Sequence, residues 1–294
     1  MVRDLQLPRE LLFRGARVAI GRFRARPSSA LFRDSGPIRA HLLVFPRSTV
    51  RITQRGAPSL LADPTTVVLY NRHQEYRRQA ISPRGDVCEW FAFDEADLVD
   101  AIAPFDRAVV DRRTHPFART HAPSDARTYL RQRALFEHVA CASPTLDPLV
   151  VEERAMQLLA HVVAGLYDAK THENTGSRHL ELAEAIKERL ARTFTQKVAL
   201  DELASSLSVS VFHLCRVFRL VTGGTVHRHL HALRLRHALE RVVDGERDLT
   251  ALALDVGYAS HSHFTSAFRR AFGAPPSAVR GRAKVAAGIV YERD

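Results

Sequence analysis

Two windows in the C-terminal half hold guanidinium and imidazole groups without a single carboxylate: neither Leu203 to Leu239 nor Val256 to Tyr291 contains Asp or Glu. Arginines there have no acid close in sequence to neutralise them, which is what two phosphate-facing surfaces require. Acids collect between the windows, at Glu240, Asp244, Glu246, Asp248 and Asp255. The 294-residue chain carries 43 Lys and Arg against 32 Asp and Glu, a formal charge of +11. That surplus favours polyanionic partners, nucleic acid first. Other chemistries lack their residues. There is no P-loop, dinucleotide glycine fingerprint or Gly-x-Ser-x-Gly elbow, so no catalytic role and no cofactor is expected. Cys88, Cys141 and Cys215 are too few and too scattered for a disulfide framework or a four-cysteine zinc site, which points to a reducing cytoplasm. His227 and His231 stand at i, i+4 and could grip a metal, but no third ligand is evident in the sequence, and no metal is expected.

The elements that must position these groups are legible in outline. The length is roughly twice the ~150 residues of a usual domain, so two domains are expected. Apolar runs are broken by Arg or Asp, and none approaches the ~18 to 20 residues that cross a bilayer. Short strands are predicted at Val18 to Phe23, His41 to Phe45, Thr49 to Thr53, Thr66 to Tyr70 and Val87 to Phe93, separated by Gly and Pro turns. After Asp94 the period becomes helical. Leu130, Ala134, Leu135, His138 and Val139 form one stripe, and Val150, Val151, Ala155, Leu158, Leu159, Val162 and Val163 another. Two such helices either cover the sheet or pair with a second subunit. Asp168 to Arg178 is polar and aperiodic, so a linker is placed there.

The second half repeats a helix-turn-helix unit. In the first copy Leu203, Ala204 and Leu207 precede a turn, Ser210 is placed to cap a second helix, and Leu214, Val217 and Phe218 face inward. In the second, Leu252, Ala253 and Val256 lead through Gly257 to Ser260, Phe264 and Phe268. A helix from Thr225 to Val243 lies between the copies, about 28 Å long at ~1.5 Å per residue, near the ~34 Å between successive major grooves on one face of B-DNA.

From Gly257, Tyr258 and Ser260 through Ser262, Phe264, Ala267, Phe268, Arg269, Arg270, Phe272, Gly273, Pro275 and Pro276 to Arg280, the ordered motif resembles the C-terminal signature of the AraC/XylS family of bacterial transcription regulators. The resemblance covers about Leu180 to Arg282. Val279 departs from it, standing where members usually place an aromatic residue, and Leu220 and Val221 are more apolar than usual. The resemblance implies an α+β chain with an N-terminal cupin-like β-barrel flanked by helices and an all-α C-terminal domain with two helix-turn-helix motifs. The expected domains are an effector and dimerisation domain at 1–170, a linker at 171–178, a DNA-binding domain at 179–282 and a tail at 283–294. Matched to the family, Phe212, Cys215 and Arg216 of the first reading helix and His261, Ser262, Thr265 and Ser266 of the second are expected to face bases. Arg219, Arg269 and Arg270 are expected at the backbone. The close His-x-His of metal-binding cupins is missing. If Tyr70 to Arg78 is extended, Asn71, His73, Glu75 and Arg77 share a face with one another, and Cys88 shares one with Trp90, a candidate effector pocket or an ordinary salt-bridged rim. The expected partners are promoter DNA, RNA polymerase by resemblance, an unknown small effector and a second copy of the chain. The alternative is a cupin-type ligand-binding protein or enzyme whose helical part only mediates association.

Overall fold

The computed structural model describes residues 10–33, 37–141, 146–168 and 176–281. The chain divides into two compact units, one ending at Asp168 and the other following it.

Among the described residues the first unit has nine strands: β1 (Glu10–Arg14), β2 (Val18–Ala25), β3 (His41–Pro46), β4 (Val50–Gln54), β5 (Leu60–Ala62), β6 (Thr66–Tyr70), β7 (Tyr76–Ala80), β8 (Asp86–Phe93) and β9 (His121–Pro123). One helical turn, α1 (Ala30–Arg33), follows β2, and α2 (Glu95–Ile102), α3 (Ala126–Ala140) and α4 (Pro148–Asp168) come later. All five predicted strands are present. The four that the pattern missed are β5 and β9, of three residues each, and β1 and β7, whose side chains are mostly exposed or half-buried and so lack an apolar run. The strands form two antiparallel sheets, ordered β1-β2-β8-β3-β6-β9 and β5-β4-β7, with no ladder closing them into a barrel among the described residues.

Alternation divides the six-stranded sheet's side chains between two cores. Leu42, Val44, Tyr70, Cys88 and Trp90 meet Val50, Ile52 and Leu60 of the smaller sheet. Leu43, Phe45, Leu69, Phe91 and Phe93 meet Leu135, Phe136, Leu158, Leu159 and Val162 of α3 and α4. The two helical stripes are therefore spent on their own sheet.

Two local expectations are corrected. Tyr70 to Arg78 is not one extended run: β6 ends at Tyr70 and the chain turns, with His73 at φ 68° and its N–H donating to the Ile38 carbonyl at 2.6 Å. Asn71 fixes the turn, its Nδ2 donating to the Phe117 carbonyl at 2.8 Å and its Oδ1 accepting from the Phe117 N–H at 3.1 Å. Ser177 and Arg178, expected in the linker, open the next helix, and Asp168 closes α4. Residues 169–175, and with them most of the 171–178 assignment, lie outside the described residues, as do Arg282 and the 283–294 tail.

The second unit holds α5 (Ser177–Thr193), α6 (Leu200–Ser206), α7 (Val211–Thr222), α8 (Val226–Val243), α9 (Leu249–Asp255) and α10 (His261–Phe272). Its first core joins Ile186 and Leu190 of α5 to Leu203, Ala204, Leu214, Phe218, Val226, Leu230 and Leu233. The rings of Tyr258, Phe264, Phe268 and Phe272 stack edge to face along α10 at 5.5, 5.6 and 4.7 Å. Val279 is 1% exposed. A small aliphatic side chain at that position still fills the last turn.

Candidate nucleic-acid interface

The two helix-turn-helix units share their turn and the cap of their second helix. In the first, α6 and α7 meet at 87°, and the Val209 N–H donates to the Ala204 carbonyl at 3.1 Å across the turn. In the second, Tyr258 donates to Ala253 at 2.9 Å. Each turn passes through one left-handed residue, Ser208 at φ 55° and Gly257 at φ 85°. Ser210 and Ser260 then cap α7 and α10, each accepting from an N–H three residues on at 3.2 Å. Both helices have 12 residues and end on a left-handed glycine, Gly223 or Gly273. Between them α8 has 18 residues, a rise of about 27 Å at ~1.5 Å per residue.

The shared geometry puts Phe212, Cys215, Arg216 and Arg219 of α7 at the positions that Ser262, Thr265, Ser266 and Arg269 hold in α10. Phe212, Arg216 and Arg219 are exposed, as are His261, Ser262, Ser266, Arg269 and Arg270, while Thr265 is half-buried. Phe212 stands out at 78% exposure, unusual for a phenyl ring in a folded domain. Cys215 is placed differently: it packs partly against the first core. Arg216, Arg219, Arg269 and Arg270 have no ion-pair partner among the described residues, so their charge faces outward unneutralised. Leu220 is 36% exposed beside them.

The acids between the two windows are occupied within the fold. Arg241 reaches Asp255 at 2.8 Å and Glu246 at 2.7 Å. Asp248 caps α9, accepting from the Thr250 and Ala251 N–H groups at 3.0 and 2.8 Å. These acids brace the scaffold, and the reading helices keep an acid-free exposed face.

One cluster was invisible in the sequence. Tyr258 and His263 come against His231 of α8, whose Nδ1 lies 3.0 Å from the Tyr258 hydroxyl and whose ring centre is 4.2 Å from that of His227 and 6.3 Å from that of His263. Even so, no three His, Cys, Asp or Glu among the described residues are arranged to hold a metal ion. Burial, with His227, Arg234 and His263 adding positive charge, lowers the His231 pKa to about 4. In the first unit burial likewise lowers His41 to about 4; its Nδ1 accepts from the Arg72 N–H at 3.2 Å. Both rings stay neutral in the folded chain at pH values where an unfolded histidine, near 6.5, is already protonated. Below pH 6.5 the unfolded state then binds more protons, and stability declines until about pH 4. Melting temperatures of both transitions should therefore fall between pH 7.5 and pH 5, and a flat profile would contradict these neutral sites.

The candidate effector residues are not brought together. His73, Glu75 and Arg77 are exposed, and Glu75 pairs with Arg55 at 2.9 Å. Cys88 and Trp90 are buried between the sheets. The turn after Tyr70 shifts the face, so that Arg78, not Arg77, points inward, its side chain 4% exposed. An open cleft of about 410 Å³ lies elsewhere on the unit, lined by His41, Arg72, Asp94, Glu95 and Arg113. There Arg113 and Glu95 face each other at 3.4 Å.

Comparison with known proteins agrees with this geometry. The family described as "Helix-turn-helix domain" matches residues 203–282. The regulatory protein SoxS of Salmonella typhimurium is 31% identical over 104 residues, which span 97% of SoxS and 35% of this chain. The chain belongs to the AraC/XylS family of transcription regulators. The HTH-type transcriptional activator RhaS of Pectobacterium carotovorum is 26% identical over 126 residues, covering 43% of this chain and 45% of RhaS. The chain thus spans under half of that relative's length. A solved structure of ToxT from Vibrio cholerae aligns over 92% of this chain and 97% of its own with 11% identity, but a TM-score of 0.36 is too low to establish a common architecture. Within this family the paired helix-turn-helix units are a DNA-binding domain, and the α+β class read from the sequence holds.

Proposed function

We propose that the protein is a cytoplasmic, non-catalytic regulator, mainly an activator, that binds promoter DNA through α7 and α10. It answers to a small effector held by residues up to about 170 and acts through RNA polymerase. The observation that carries this reading is the duplicated reading helix, each copy presenting unpaired arginines on a face without acids, held apart by a helix close to one DNA turn in length. The names of the relatives support activation. Two reading helices in one chain already address two sites, so a homodimer would add avidity but is not needed for paired recognition. A cupin-type enzyme with a helical association domain would owe nothing to phosphate neutralisation. Affinity for duplex DNA that falls steeply with salt therefore supports the regulator, and a flat salt profile rejects it.

Within the interface, Arg216 is the proposed base reader, with Phe212 beside it and Cys215 at the helix edge. Arg219, Arg269 and Arg270 hold phosphate. Arg216→Ala should cost about 1 to 3 kcal/mol and relax preference at one base pair, the worth of a bidentate contact to guanine. Competition binding against sites altered at single positions checks this: an equal loss across all sequences would make Arg216 a phosphate clamp. Because Ser266 replaces the arginine in α10, with His261, Ser262 and Thr265 around it, the half-site under α10 should be the less discriminating.

A further inference from the structure

Three imidazoles meet where α10 begins, and no acid stands among them. His263 of α10 lies 6.3 Å, ring centre to ring centre, from His231 of α8, and His227, one turn before His231, lies 4.2 Å from it. His227 and His263 are exposed, whereas His231 is half-buried with its Nδ1 against the Tyr258 hydroxyl. The charged and titratable groups that face His231 are His227 and Arg234 from its own helix, Tyr258 from the turn and His263 from α10. None is a carboxylate, and among the described residues none of the three imidazoles forms an ion pair. Asp255, the acid nearest the turn in sequence, is held by Arg241 at 2.8 Å.

Histidines grouped without a counter-charge oppose one another's protonation, and burial adds to this at His231, which stays neutral. A phosphate brought to the group reverses the balance, because an opposite charge within about 4 to 6 Å favours the protonated ring. The position suits such a contact. His263 directly follows the exposed Ser262 and precedes Arg270 by seven residues, so that this imidazole and that guanidinium share one flank of α10, beside the face that carries Ser262, Ser266 and Arg269. We propose that His227 and His263 are contacts to the DNA backbone, each taking up a proton from solvent as the duplex binds and donating to a phosphate along the edge between α8 and α10. This rests on the reading of α10 as a DNA-reading helix and adds two contacts that the signature motif does not supply.

The test is equilibrium binding of the full chain to mixed-sequence duplex DNA, followed by fluorescence anisotropy over a series of salt concentrations at about pH 8 and about pH 6. Carboxylates, guanidinium groups and backbone phosphates hold their charge across that range, and imidazoles do not. The complex binds more protons than the free chain, so affinity should rise as pH falls, by about tenfold between the two values. The slope of log affinity against log salt should also steepen at the lower pH, by about 0.9 for each phosphate newly neutralised. His227→Gln with His263→Gln, both at exposed positions, should remove most of both changes. His237→Gln, also on α8 but with its ring against Phe194 at 5.2 Å, should keep them. Affinity that does not change with pH, or a double variant that keeps the full dependence, overturns the proposal. A pH dependence with an unchanged salt slope overturns it too, since a change of conformation would act without a new phosphate contact. Failure to bind duplex DNA at either pH rejects the regulator reading and the two contacts with it, whereas binding without the pH effect rejects the contacts alone.

Discussion

Glu89→Gln should cost the first unit about 3 to 5 kcal/mol, the loss expected when one partner is removed from a buried ion pair. Glu89 of β8 is 2% exposed and accepts from Arg47 Nη1 at 2.5 Å, from Arg133 Nη1 and from Gln132 Nε2. Burial by itself would raise its pKa, yet the charges of Arg133 and Arg47 hold the carboxyl below the ordinary range. Arg133 is 1% exposed and also donates to Glu137 one turn along α3. An amide in place of the carboxylate leaves two cations with less than their counter-charge in a layer that water does not reach. Urea unfolding followed at Trp90, on the same strand, measures the loss. A loss below about 1 kcal/mol for Glu89→Gln would mean that the network behaves as a surface pair.

The second large effect is expected at Arg234 of α8. Its Nε donates to the Phe194 carbonyl and its Nη2 to that of Gln196, both at 2.7 Å, just past the end of α5. The same guanidinium lies against Gly257, where an added Cβ would come within 2.8 Å of it on a backbone at φ 85°. Arg234 therefore ties the helix that packs on α7 to the turn that sets the angle of α10. Arg234→Ala removes two partly solvated hydrogen bonds, and at roughly 0.5 to 1.5 kcal/mol each the second unit should lose about 1 to 3 kcal/mol. Its effect on DNA should be selective. Binding to a two-site duplex should fall by about tenfold or more while binding to either half-site changes little, since only joint engagement needs a fixed spacing. Equal losses on half-sites and the full site would show that the brace serves stability alone. Gly257→Ala should act in the same direction, because it displaces the same side chain.

The sequence by itself determined what near neighbours decide. The double helix-turn-helix was legible because caps, turn residues and inward apolar positions lie within a few residues of one another and repeat 50 residues on, as Ser210 and Ser260 or Phe218 and Phe268 do. Five strands were legible because their apolar runs are bounded by Gly and Pro turns, a signal that needs only a few consecutive residues. Tertiary structure alone decided which side of a strand faces inward. The turn fixed by Asn71 and Phe117 moved the inward face from Arg77 to Arg78, since a shift of one residue in a strand exchanges every side chain between faces. It also decided that α3 and α4 cover their own sheet, that Glu89 meets Arg133 across 44 residues, and that His263 comes to His231. Each of these depends on two distant segments meeting, and amphipathic periodicity states that a face is buried without stating against what.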